Sequence, residues 1–383
     1  MTAPERSVSL AVIAREWGRI GCIGFGGPPT HIALLRQLCV QRRGWLTDAD
    51  FEDAVAATNL LPGPASTQLA ILCAWRLRGA QGALIGGLCF IVPGLMLILA
   101  LAALFLSARP PSWVMGAAAG AGAAVPAVAA HAAAGLVPAS WRRAGTATAA
   151  RVRWIGYAAA GAGGAALIGP WLVLVLIVAG LIEIAVRAPA PRPPAMPLFA
   201  GLPTVAATGG LLAVAWVAAK VGALSYGGGF VIIPMMQNDA VHTYGWMTDT
   251  QFLDAVVLGQ ITPGPVVQTV AVVGYAAAGL TGGLLAALVV FAPSFAFVMI
   301  GGPRLDRLRA NKRVQAFLTG AGAAAIGAIA GSTIALTRAL NHPWQAVVLA
   351  LALCWLLVLR RGVVTALIGA GVVGVLLPLI GWT

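Results

Sequence analysis

The chain has 383 residues, of which 60% are hydrophobic and only 9% charged, with a mean hydropathy of +0.91. A soluble domain carries about 25% charged residues, so the composition excludes one and predicts an all-α polytopic membrane protein in contact with the lipid bilayer. The net charge of +13 does not point to nucleic acid, because the basic residues fall in short connections between apolar segments, as positive-inside topology requires.

The first apolar segment, 8–25, is interrupted by Arg15, Glu16 and Arg19, which is not the pattern of a cleavable signal peptide. It runs into Phe25-Gly26-Gly27-Pro28-Pro29. After it come Trp45-Leu46-Thr47-Asp48 and then Leu61-Pro62-Gly63-Pro64. The apolar runs here, such as Ala65–Ala74, are too short to span a bilayer and read as re-entrant or broken helices. Four further segments follow, at 80–107, 113–136, 153–168 and 170–186, before a Pro-rich linker at 187–202.

The pattern then repeats. At a shift of 201, Gly26-Gly27 falls on Gly227-Gly228, Arg19 on Lys220, and Trp45 on Trp246. The same shift places Thr47-Asp48 on Thr248-Asp249, Asp53 on Asp254, and Pro62-Gly63-Pro64 on Pro263-Gly264-Pro265. Two homologous halves, 1–186 and 203–383, are expected. The second offers segments at 203–225, 281–301, 314–336, 344–359 and 363–381.

The arginines predict opposite orientations. The loop after 80–107 has Arg109 alone, whereas its counterpart has Arg304, Arg307, Arg309, Lys312 and Arg313. The next loop reverses this, with Arg142, Arg143, Arg151 and Arg153 against Arg338 alone. Five spanning helices per half plus the broken ones would form an inverted-topology repeat, with 18 of the 24 basic residues on the cytoplasmic side. A parallel six-plus-six arrangement would mix charge on both sides.

Pro-Gly-Pro stops one helix and lets another begin, with proline suited to the first helical position. A helix start offers unpaired N–H groups and a positive dipole end, which together bind anions. The flanking polar residues are Asn59, Ser66, Thr67 and Gln68 in one half and Gln260, Gln268 and Thr269 in the other. The glycine pairs allow close approach, and Arg19 and Lys220 lie inside apolar segments, where an ionisable residue suggests function. The candidate anion site thus comprises Arg19, Gly26, Gly27, His31, Asn59, Pro62, Gly63, Ser66, Thr67, Gln68, Lys220, Gly227, Gly228, Gln260, Pro263, Gly264, Gln268 and Thr269.

Asp53 and Asp254 are candidates for carrying a coupling proton. His31 is singled out among four histidines that do not recur, because it follows the first glycine pair. Thr47 and Thr248 read as helix caps. No catalytic residues, metal spacing or cofactor motif is evident, and the cysteines read as small core residues. With 11 acidic residues and unmatched histidines, a membrane-embedded enzyme is disfavoured. The small-residue stretch Gly116–Ala134 suits packing within the bundle or in a homodimer.

Phe25-Gly26-Gly27-Pro28, His31, Arg42-Arg43-Gly44-Trp45-Leu46 and Leu61-Pro62-Gly63-Pro64-Ala65-Ser66-Thr67-Gln68 resemble the chromate ion transporter family. The duplicated arrangement is similar to its long, two-domain members. The resemblance implies a bacterial inner-membrane secondary transporter that exports chromate, with sulfate as its natural look-alike. The second half departs from the pattern with Gly229 in place of the proline and Thr262 in place of the leucine. A sulfate permease and a channel stay open as alternatives.

Overall fold

The computed structural model describes residues 8–58, 63–107, 111–167, 172–187, 210–225, 232–301 and 311–379, and every regular element among them is helical. The N-terminal elements are α1 (Leu10–Ile23), α2 (Pro28–Arg36), α3 (Asp48–Thr58), α4 (Ala65–Phe105), α5 (Ser112–Ala144), α6 (Thr148–Leu167) and α7 (Leu172–Arg187). The C-terminal ones are α8 (Leu211–Leu224), α9 (Ile232–Gln237), α10 (Asp249–Ile261), α11 (Thr269–Gly301), α12 (Lys312–Arg338), α13 (Pro343–Leu353) and α14 (Val363–Leu379). Within the described residues, all ten apolar segments read from the sequence contain helix. Among the described residues four helices, Ala65–Phe105, Ser112–Ala144, Val266–Gly301 and Lys312–Arg338, are long and apolar enough to cross a membrane. Leu84, Leu88, Val92 and Met96 form an exposed stripe at four-residue spacing on α4, matched by Leu280, Leu284 and Leu288 on α11. Such stripes have no place in water and fit lipid. The chain is a multi-pass membrane protein.

α4 and α11 are not straight spans. Each contains a break, at Arg78 and Gly79 (φ +57°) in α4 and at Ala278 and Gly279 (φ +62°) in α11. At each break the chain turns back on itself. A Cβ on Gly82 would lie 2.2 Å from the Ala74 carbonyl, and one on Gly282 would lie 2.1 Å from the Gly274 carbonyl. Residues 65–77 and 266–277 are therefore short limbs folded back against the longer helices that follow them. Thr248 caps α10 in a capping box with Gln251, and Thr47 bonds the Asp50 amide at the start of α3.

The copies match in detail. α2 and α9 each pass into a π-helical turn, Gln37–Arg42 and Asn238–Thr243. Gly44 and Gly245 follow with φ of +59° and +61°. Arg36 bonds Asp48, and Gln237 at the equivalent position bonds Asp249. One difference has a local cause. The register shift falls from 201 at Pro64 and Pro265 to 200 at Gly79 and Gly279. The limb before α11 opens with a 3-10 turn, Val266–Gln268, where α4 is α-helical. A 3-10 turn takes three residues rather than 3.6, which accommodates the missing residue.

The long helices pack crosswise. α12 lies on α6 and α7, while α5 lies on α13 and α14. α4 and α11 contact each other at the centre, backed by α1 and α8 respectively. Small residues make these approaches possible. A Cβ on Gly327 would stand 1.8 Å from the Ala158 carbonyl, and one on Gly120 would stand 2.1 Å from the Ala370 carbonyl. The Gly116–Ala134 stretch is thus engaged within the bundle. The cysteines divide, with Cys39 and Cys73 buried, Cys89 part-buried, and Cys22 and Cys354 exposed. This bears out the core reading for Cys39 and Cys73 and corrects it for Cys22 and Cys354. In a membrane protein the outer face is apolar too, so apolar surroundings in sequence do not imply burial.

Candidate functional site

Pro64 caps the N-terminus of α4, and Ala65, Ser66, Thr67 and Gln68 are all buried. The Thr67 and Gln68 amides bond the Pro64 carbonyl. The Ala65 and Ser66 amides precede any helical acceptor and face the break. Pro265 begins the matching limb, and Val266, Val267, Gln268 and Thr269 are buried as well. Thr269 returns its hydroxyl to the Val266 carbonyl at 2.8 Å.

Each break is tied to the other half of the chain. The Gly63 amide donates to the Ser225 carbonyl at 2.5 Å, and the Gly264 amide donates to the Gly24 carbonyl at 3.1 Å. Gly24 and Ser225 are equivalent at the same shift of 201 as Gly63 and Gly264, so the two bonds are reciprocal. Both break glycines have left-handed φ, +124° and +103°. Gly27, the N-cap of α2 with φ +74°, stands against Val266, so the start of α2 meets the start of the opposite limb. The prolines inside α4 and α11, Pro93 and Pro293, fall beside these junctions. Gly94 lies against the Pro263 carbonyl and the Gln268 side chain, and its counterpart Ser294 lies beside Gly63. Gln268 also donates to the Ile91 carbonyl at 2.8 Å across the halves.

His31 is fully buried on α2. Its Nε2 is 2.9 Å from the Gly24 carbonyl, its Nδ1 is 3.2 Å from the Ser66 hydroxyl, and its ring packs edge-on against Phe90. A continuous polar chain therefore links Gly264 through Gly24 and His31 to Ser66, joining the two breaks. Sequence reading placed His31 near the site but missed its partners, because no residue spacing shows that the Gly24 carbonyl serves two donors.

Several buried polar atoms beside the breaks have no partner among the described residues, namely Thr67 Oγ1, Ser225 Oγ, Gln260 Nε2, Gln268 Oε1 and Ser294 Oγ. Burying a polar group unpartnered costs roughly 1–3 kcal/mol, so each of these atoms calls for a partner. Four of the five atoms can donate a hydrogen bond. Sequence reading missed Ser225 and Ser294, since the equivalent positions are Gly24 and Gly94 and the repeat gives no polar signal there.

The cationic candidates stand apart from this cluster. Arg19 is exposed on α1. Lys220 is bonded to Asp239 at 2.5 Å and lies over the Trp216 ring, so its charge is largely compensated. Asp53 is exposed, whereas Asp254 lines a 220 Å³ cavity with Thr250, Asn341, His342 and Gln345. The two carboxylates have different surroundings despite equivalent positions. Gly26 lies beside Thr30 with φ +99°. Asn59, Pro62, Gly227 and Gly228 lie outside the described residues. Among the described residues no group of His, Cys, Asp and Glu is arranged to hold a metal.

Paired helix breaks between long apolar helices that expose apolar faces fit a polytopic membrane protein of the transporter class. The chromate transporter family profile matches the chain twice, over residues 11–205 and 212–375. The chain belongs to the chromate transporter family. It is 32% identical over 347 residues to a chromate transport protein of Cupriavidus metallidurans, covering 88% of this chain and 84% of that one. It is 31% identical to a chromate transport protein of Pseudomonas aeruginosa, covering 84% and 79%. A probable chromate transport protein of Synechococcus elongatus is 29% identical, with 87% and 86% covered. No solved structure matches the chain.

Proposed function

We propose that the protein is a secondary transporter that exports chromate, and divalent oxyanions like it, across a bacterial inner membrane. The halves 1–186 and 203–383, joined by the 187–202 linker, act as an inverted repeat. The anion sits where the glycine-pair region of each half meets the Pro-Gly-Pro break of the other. The observation that carries this reading is the set of buried donors without a partner among the described residues, beside the reciprocally bonded breaks. Neutral donors and helix dipoles suit a tetrahedral dianion, because they stabilise charge without a salt bridge that would hinder release. The opposed arginine distribution of the halves supports the inversion. A dianion leaving a negative-inside cell runs downhill by about 2.3 kcal/mol per charge per 100 mV, so the potential alone can drive export, with or without a coupled proton.

The test is radiolabelled chromate flux into sealed inside-out vesicles, with and without an imposed potential and excess sulfate. The expected result is saturable uptake, accelerated by an inside-positive potential and competed by sulfate. Uptake no greater than in empty vesicles would refute oxyanion export. Flux that rises linearly without saturating would identify a channel.

A further inference from the structure

The hydrogen bonds of His31 fix which of its nitrogens carries the proton. A carbonyl oxygen can only accept, so the Nε2 that lies 2.9 Å from the Gly24 oxygen is protonated. In a neutral ring Nδ1 is then an acceptor, and Ser66 must point its hydroxyl proton at it. The Ser66 hydroxyl stands in the first turn of α4, beside the break, yet its proton is committed to the ring. In an imidazolium both nitrogens donate. Nε2–H keeps its bond to Gly24, Nδ1–H donates to the Ser66 oxygen, and the Ser66 proton is released to turn toward an acceptor at the break.

We propose that His31 is a positioning residue that couples oxyanion binding to the uptake of one proton, by switching the Ser66 hydroxyl from serving the ring to serving the anion. This rests on the oxyanion site described above and specifies how that site is regulated. A bound dianion supplies the acceptor for the freed hydroxyl, and its charge favours the imidazolium. Each partner therefore tightens the other by the same factor.

Three ionisable groups on the elements around the ring are engaged elsewhere, while Arg15 and Arg19 of α1 are exposed and Arg78 is half-buried where α4 turns back. Glu16 of α1 is bonded to Arg43, Arg36 of α2 to Asp48, and Arg76 of α4 to the Asp50 carbonyl. Phe90 covers the ring edge-on. Asp254, on the helix that leads to the second break, faces its own cavity with His342. The device is confined to one half. His31 falls on Ile232, and only Val266 and Val267 stand between Pro265 and Gln268. A single switch per chain predicts one proton per anion.

The experiment measures sulfate affinity of the purified full chain from about pH 4 to pH 8, where sulfate keeps its charge, because burial pushes the His31 pKa down to about 4. In the parent, affinity should fall as pH rises above about 4, approaching about tenfold per pH unit until the anion-bound ring itself loses its proton. His31→Gln can still reach Gly24 and Ser66 but takes up no proton, so its affinity should be independent of pH. Ser66→Ala should bind several-fold more weakly and also lose most of the slope. A merely structural histidine would lower affinity equally at every pH and leave the slope intact. The coupling is overturned by a flat parent profile, by His31→Gln retaining the slope, or by Asp254→Asn abolishing it. A folded parent that binds neither sulfate nor chromate would instead refute the oxyanion site itself.

Discussion

Gly63→Ala and Gly264→Ala should each reduce oxyanion transport by more than about tenfold, with Gly63→Ala the more severe. Both glycines have left-handed φ, where a side chain costs roughly 1–3 kcal/mol. A Cβ on Gly63 would also lie 2.4 Å from the Gln68 amide nitrogen and 3.3 Å from the Ser294 hydroxyl. On Gly264 the nearest atom would be the Gln268 carbonyl oxygen at 3.3 Å, a side chain able to yield. Either change disturbs an amide bonded across the halves, to Ser225 or to Gly24. A free-energy loss of about 1.4 kcal/mol at the site is already tenfold in binding. The check is flux per folded protein in vesicles, alongside Gly135→Ala, where a Cβ would meet nothing within 4 Å. Transport by Gly63→Ala equal to that of the control would remove the break from the mechanism.

Glu183→Ala should be the most destabilising of the polar truncations, while leaving transport per folded molecule unchanged. Glu183 of α7 is 2% exposed and accepts from Arg153 at 3.0 and 3.3 Å, from the Tyr157 hydroxyl at 2.9 Å, and from Arg187. Arg187 reaches on to the Ala144 carbonyl at the end of α5, so one carboxylate joins α5, α6 and α7. Truncating one partner of a buried pair costs about 3–5 kcal/mol. The two arginine side chains are 27% and 32% exposed and can turn toward water, so about 2–3 kcal/mol is expected here. Glu183→Gln, which keeps an acceptor for Tyr157 and one arginine, should recover part of this. Thermal unfolding in detergent reads the order parent, Gln, Ala. A Glu183→Ala variant as stable as the parent would show that the cluster is dispensable.

Much of the architecture was legible because the chain states it twice. Duplicated Pro-Gly-Pro breaks and short apolar runs marked the limbs that fold back, and the helices formed where long apolar segments stood. The crosswise packing of α5 and α12 on the final helices of the opposite halves was not legible. It depends on glycines such as Gly120 and Gly327 that read alike whichever helix they face. The site was half legible. Ser66, Thr67, Gln68, Gln260 and Gln268 stood out as polar residues in apolar runs, whereas Ser225 and Ser294 did not repeat. Lys220 looked like an anion attractor because Asp239, 19 residues away, has no counterpart at the equivalent position Leu38 and gave no sign of pairing with it.

The most direct test of the central claim is to locate the anion itself. Selenate, a tetrahedral dianion like chromate and sulfate, can be placed by anomalous diffraction from crystals of the full chain. The account predicts a peak at the breaks, within hydrogen-bond reach of the Ser225 and Ser294 hydroxyls or the first amides of α4. A peak confined to another site, such as the cavity beside Arg36, Gln37 and Gln41, with both breaks empty, would contradict it.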